Sequence, residues 1–182
     1  MKKTIFFFIL IATSIHFLVA QTIVGVSARY DNSFREWDIY DDSDAVIGEF
    51  AQRWRQTNDF SEWDVRYADA SGSVRQKWKN DNSRWELRIN DETITIKMQY
   101  PGDPNHWIIT DNDISLDYAT KYPYVNDEWL VTSKGFGAFT MSMYYQQDPR
   151  DLEIFDDLVE DVSPAMRLAM VFVGVLVSAP KK

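Results

Sequence analysis

The chain contains no cysteine. A disulfide framework is therefore excluded, as are thiolate metal sites and a lipid anchor that needs a cysteine behind a leader segment. Histidine is nearly as scarce, with only His16 and His106. A zinc site built from histidines has too few ligands beyond the leader to form. Basic residues are outnumbered, 19 Lys and Arg against 28 Asp and Glu, for a formal net charge of −9. A chain of that sign repels phosphate backbones, so nucleic acid is not expected as a partner. No Gly-x-Ser-x-Gly elbow is present, and the two-glycine stretch SKGFG (133–137) has no helix start behind it, so it reads as a hairpin turn rather than a phosphate cradle.

What is present begins with a different kind of text. MKK, the apolar TIFFFILIAT and the segment SIHFLVA form the three-part layout of a secretory signal peptide, with cleavage expected between Ala20 and Gln21. Leu18 at the −3 position is larger than the usual small residue. The alternative is an uncleaved anchor, but the apolar stretch falls short of the roughly 20 residues of a bilayer span. Loss of Lys2 and Lys3 takes the net charge from −9 to −11. The expected layout is a leader over 1–20 and one domain over 21–182, exported to a periplasm or the outside. That length is enough to bury a core without staples.

From residue 23 to residue 155 the text reads as strand, turn, strand. Tryptophans stand at 37, 63, 85, 107 and 129, the last four 22 residues apart. Each opens a short apolar alternation: EWDI, EWDV, RWEL, HWII, EWLV. Trp63, Val65 and Tyr67 share one face while Asp64 and Arg66 share the other, and Ile94, Ile96 and Met98 oppose Thr93, Thr95 and Lys97. Period-2 patterning of this kind gives strands buried on one face, as in antiparallel sheets. Clusters of Asp, Asn, Ser and Gly separate the paired runs and mark hairpins. Five hairpins, a leading strand over 23–29 and a short strand over 152–155 make about twelve strands.

The C-terminal stretch breaks the pattern. Ser163-Pro164 is an N-cap followed by proline at the first helical position, and acids precede it. From Leu168 to Val177 every side chain is apolar or absent, so a helix over about 164–178 is apolar on its whole circumference and is expected to be buried on all sides. The run is too short to span a bilayer. A fully buried strand is the other reading of VFVGVLV. The fold expected is a mainly β, closed antiparallel barrel plugged by this helix.

WDIYDDSDAVIGEF (37–50) and VSPAMRLAMVFVGVLV (162–177) resemble a characteristic hairpin and the terminal helix of the tubby C-terminal, LURP-one-related and phospholipid scramblase-like group. The resemblance spans about 34–178 and implies a twelve-stranded barrel around a hydrophobic C-terminal helix, and a role as a lipid- or protein-contacting module. The scramblase members' cysteine segments and calcium loop have no counterpart here. Nor does the tubby domains' basic phosphoinositide site, since this chain is acidic. No site residue carries over.

No catalytic, cofactor-binding or metal residue is assigned. His106 lacks partners in the sequence and reads as a strand-edge residue. Carboxylates are plentiful at Asp41, Asp42 and Asp44, at Asp111 and Asp113, and at Asp156, Asp157, Glu160 and Asp161. Aspartate is also an ordinary turn former, and DDSDAVIGE lacks the glycine and ligand spacing of a calcium loop. The aromatic stretches KYPYVNDEW (121–129) and YYQQDP (144–149) are candidates for a recognition surface. The functional expectation is an exported non-enzymatic binding or scaffold module with an unidentified protein or lipid partner and no cofactor. The alternatives are a lipid or small-ligand carrier with a hollow barrel and, third, a carboxylate-based hydrolase.

Overall fold

The computed structural model describes residues 22–57, 59–123 and 125–178; the leader over 1–20 lies outside them. Twelve antiparallel strands close into one barrel. They are β1 (Gly25–Tyr30), β2 (Ser33–Tyr40), β3 (Val46–Gln52), β4 (Glu62–Tyr67), β5 (Ala70–Gln76) and β6 (Arg84–Ile89). The second half comprises β7 (Glu92–Met98), β8 (His106–Thr110), β9 (Ser115–Tyr122), β10 (Val125–Val131), β11 (Gly137–Tyr145) and β12 (Asp148–Leu158). Every strand pairs with its neighbours in sequence, and β1 pairs with β12 to seal the wall. The helix α1 (Pro164–Ser178) follows. We call the end where α1 enters the foot, and the opposite end, where odd-numbered strands finish and even-numbered ones begin, the mouth.

Strands β4, β6, β7 and β8 coincide with the alternation read from sequence. β5 begins earlier than its composition suggests, since ADASGS (68–73) has the make-up of a turn. Ala68, at φ 49, and Asp69 make a tight turn, so SerGlySer belongs to the strand and the chain leaves it after Gln76. Gly72 sits there for a steric reason: a Cβ at this position would lie 2.1 Å from the Arg88 carbonyl oxygen on β6. β12 is also longer than LEIF, reaching from Asp148 to Leu158, because it pairs along β11.

The helix lies in the bore. All its residues from Leu168 to Leu176 are buried, and they share one apolar cluster with the inward rows of the strands. Phe172 stands among three rings of the wall, 5.6 Å from Phe50, 5.8 Å from Trp63 and 5.5 Å from Trp85 between centroids. On another side Gly174 lets α1 approach β11 and β12, since a Cβ would meet the Met141 side chain at 2.0 Å and Leu152 at 3.4 Å. The Ser163 hydroxyl accepts the Met166 N–H at 3.3 Å, the cap read from sequence.

Arg167 is the one charged residue of α1. Its Nε donates to Asp156 at 2.7 Å, and its guanidinium also reaches the carbonyls of Leu158, Val159 and Val162. With side chains only 18 % and 5 % exposed, the pair ties the end of β12 to the first turn of the helix. A cation at a helix N-terminus opposes the macrodipole; four acceptors offset that here.

Outside, the wall is polar. Asp38 and Glu49 face each other across β2 and β3, an arrangement of like charges that costs stability alone. Arg29 bridges them, donating from Nε to Asp38 at 3.1 Å and from its terminal nitrogen to Glu49 at 2.6 Å, and Arg66 pairs with Glu49 from β4. Burial pushes the Glu49 carboxyl up, but the hydrogen bonds from Arg29 and Arg66 outweigh it and hold its pKa below the ordinary value.

Inside, the Tyr118 ring packs 5.5 Å from Trp129 and 5.9 Å from Phe139. Its hydroxyl is fully buried and finds no partner among the described residues. Burial alone raises its pKa.

Three outcomes are expected. Gly174→Asp prevents folding, because an unpaired carboxylate in the bore costs several kcal/mol; loss of the cooperative thermal transition checks it. Tyr118→Phe raises stability by about 1 kcal/mol in urea titration, since an unbonded buried hydroxyl is removed with the ring kept. A depressed carboxyl contributes stability above its unfolded pKa of about 4.3, lost as pH falls through the folded value. Glu49→Gln should therefore lower stability at pH 7 and flatten its decline below about pH 4.3, as measured by urea titrations across pH.

Candidate functional site

The buried tryptophans form a repeated device just inside the mouth. In four copies the indole N–H donates to the carbonyl three residues earlier: Trp37 to Phe34, Trp63 to Phe60 and Trp85 to Asn82, each at 3.0 Å, and Trp107 to Pro104 at 2.7 Å. One residue further back, a side-chain oxygen accepts the N–H two positions along. Ser33 takes Arg35, Asp59 takes Ser61, Asp81 takes Ser83 and Asp103 takes Asn105, at 2.9 to 3.3 Å. Each copy thus turns the chain into an even-numbered strand and satisfies the one polar atom of the buried indole. Hydrogen bonds from Ser61 and Ser83, hydroxyl and backbone, hold Asp59 and Asp81 below the ordinary carboxylate range; the backbone N–H of Asn105 leads in doing so for Asp103.

The fifth copy departs from this. Before Trp129 the position of the acid is Val125, and three residues of β10 stand opposite one of β9 in a wide bulge. Buried oxygens of Thr120, Asn126 and Asp127 find no partner there among the described residues.

A hollow of about 1110 Å³ lies at the mouth, between the β1–β2, β3–β4 and β5–β6 connections. Phe34, Phe60, Trp85 and Leu176 give it apolar walls; Arg35, Arg75 and Lys79 give it cations, with Asp59 and Glu62 nearby. Arg35 lies over the Phe60 ring at 5.9 Å and donates to the Arg55 carbonyl. Gln52, wholly buried, braces the β3–β4 connection by donating to the Asp59 carbonyl at 2.6 Å and the Thr57 carbonyl at 3.3 Å. The arrangement can hold a ligand with an apolar body and an anionic end.

The residues weighed from sequence fall elsewhere. Asp41 to Asp44, Asp111, Asp113, Glu160 and Asp161 all come to the foot. There they shape turns: one Asp41 oxygen accepts the N–H groups of Ser43 and Ala45 and the Ser43 hydroxyl, and one Asp111 oxygen accepts those of Asp113 and Ile114. Asp156 is engaged by Arg167 and the Leu158 N–H. Among the described residues, no group of three or more His, Asp or Glu could hold a metal ion. His106 is exposed at the start of β8 with Nδ1 3.1 Å from Asp103. The SKGFG stretch lies in the β10–β11 connection, with Gly135 and Gly137 at φ 92 and 88.

The aromatic stretches fare differently. Tyr122, Tyr144 and Tyr145 are exposed at the mouth, while Tyr124 lies outside the described residues. Sequence reading missed that they belong to a larger set. Tyr30, Trp54, Trp78, Tyr100 and Tyr122 each stand at the end of an odd-numbered strand or two residues past it, Tyr144 stands one residue before the end of β11 with its ring 4.8 Å from that of Tyr145, and all six are 51 to 62 % exposed. Their spacings of 24, 24, 22, 22 and 22 were the available signal.

The fold class is thus a closed twelve-stranded antiparallel barrel with a helix in its bore. Comparison with protein-family models, with curated proteins and with solved structures gives no match. Among the described residues, no helix is long and apolar enough to cross a membrane.

Proposed function

We propose that the chain is an exported, non-enzymatic binding or scaffold module of the tubby, LURP-one-related and scramblase-like kind, meeting its partner with its outer surface. The observation that supports this reading is the occupied bore. A barrel that carries a ligand inside needs the volume that α1 takes, from Leu168 to Leu176, and those side chains also anchor the wall. A carrier reading is left with the open hollow at the mouth. The hydrolase reading needs two carboxylates aimed at one scissile bond, whereas Asp41, Asp111 and Asp156 are bound up with their own turns and with Arg167. Export, with cleavage between Ala20 and Gln21, is part of the same proposal.

A native mass spectrum of residues 21–182 tests it. The bare mass of the chain is expected. A lipid or small molecule retained at near one-to-one occupancy would overturn the reading in favour of a carrier.

A further inference from the structure

We infer that the mouth of the barrel seats on the surface of a zwitterionic lipid bilayer, with the six rings of Tyr30, Trp54, Trp78, Tyr100, Tyr122 and Tyr144 entering the headgroup layer. The inference rests on the reading that the chain binds through its outer surface, and it names the partner and the face.

Three observations carry it. The first is the chemistry of the rings. Every member of the set is Tyr or Trp, none is Phe, Leu or Ile, and all are more than half exposed. Rings with an apolar body and a polar edge are favoured where hydrocarbon meets water, which is why they form belts at membrane interfaces. Both tryptophans are flanked by cations on each side, in Arg53-Trp54-Arg55 and Lys77-Trp78-Lys79. Arg53 is held by Glu62 and Asp64 and Arg55 by Glu36, whereas the long side chains of Lys77 and Lys79 can reach lipid phosphates while the ring lies deeper.

The second is shape. The rings sit on alternate strands of a closed wall, so neighbouring rings are about 10 Å apart around a circle some 20 Å across. A single small ligand cannot touch them all. A polysaccharide chain needs aromatic platforms in line, and a circle offers at most two or three. An isotropic flat surface meets all six together.

The third is charge. The connections at the mouth carry four cations, Arg53, Arg55, Lys77 and Lys79, against four acids, Asp31, Asp59, Asp81 and Asp103, and are neutral. Those at the foot carry nine acids against Lys134 alone, a net of −8. Only one end can approach phosphates without repulsion, and it is the end that bears the rings. The wall between them is studded with ion pairs such as Arg29–Asp38 and Arg88–Glu86, where a barrel that crosses a bilayer carries an apolar band. The geometry is that of an end-on dock and not of a span.

Sedimentation of residues 21–182 with phosphatidylcholine vesicles tests this, since that stretch holds every strand and the helix. The protein is expected to pellet with the vesicles, and chain-brominated lipid is expected to quench the part of its fluorescence that comes from Trp54 and Trp78. The triple variant Trp54→Ser, Trp78→Ser, Tyr100→Ser should keep its melting temperature and lose about tenfold or more in partitioning. Phe155→Ser, which removes an exposed ring of the wall, should leave partitioning unchanged. Absence of pelleting overturns the inference, as does a triple variant that partitions like the parent. Binding that requires anionic lipid and dissolves in salt overturns it too, as does retention on insoluble polysaccharide in place of vesicles. Failure here with a bare native mass removes the lipid partner and leaves the outer-surface reading; a retained small molecule removes that reading without touching the vesicle result.

Discussion

A twelve-stranded wall encloses more space than its own side chains can fill. Eight strands close around a bore that inward residues just occupy, and wider barrels hold cavities, channels or plugs. Here the plug is α1, and the contact between its apolar circumference and the inward rows is what the rest of the molecule depends on. Without it, Trp63, Trp85 and Phe50 would lose Phe172, and the inward faces of β11 and β12 would lose the surface that Gly174 brings against Met141 and Leu152. The only strongly polar demand on the helix is Arg167, and it is met at the foot by Asp156 and three carbonyls before the helix goes dry.

The tryptophan repeat follows from that central partner. Each even-numbered strand has to start by placing a large ring against the same core and by satisfying one indole N–H in a region without water. The solution is the same in four copies: a carbonyl three residues back and a capping oxygen four residues back. Where the capping residue becomes Val125, the strand bulges and buried oxygens find no partner among the described residues. The departure shows what the capping oxygen of Ser33, Asp59, Asp81 or Asp103 contributes elsewhere.

Much of the fold could be read from the chain because its signals are local. Alternation placed β6 and β7 to the residue, and the Ser163-Pro164 cap placed the helix start. Boundaries failed where the deciding contact is distant. Gly72 looks like a turn residue in isolation, and only the closeness of the Arg88 carbonyl on the next strand makes it a strand residue. β12 outruns LEIF because it pairs along β11 from Asp148 to Leu158, a partner that the run LEIF does not reveal by itself. The candidate site was less legible. The hollow at the mouth draws on three connections, and no single segment advertises it. Of the exposed aromatics, Tyr122 and Tyr144 stand out because their segments are rich in tyrosine, whereas Tyr30, Trp54, Trp78 and Tyr100 are single rings whose common place emerges only once the ends of the odd-numbered strands are known. The acidic turns drew attention by composition, yet Asp41 and Asp111 each spend an oxygen on their own backbone.

The position of α1 has a further consequence for how the molecule comes into being. The residues that complete the core follow all twelve strands in the chain, so during synthesis the wall emerges before the helix that fills it. Until then β1 and β12 present open edges, and a meander of apolar inward rows faces water, the condition under which chains associate wrongly. Folding is thereby deferred to the last 15 helical residues. Until the helix is in place, the inward rows have no partner and the two terminal strands no reason to close on each other.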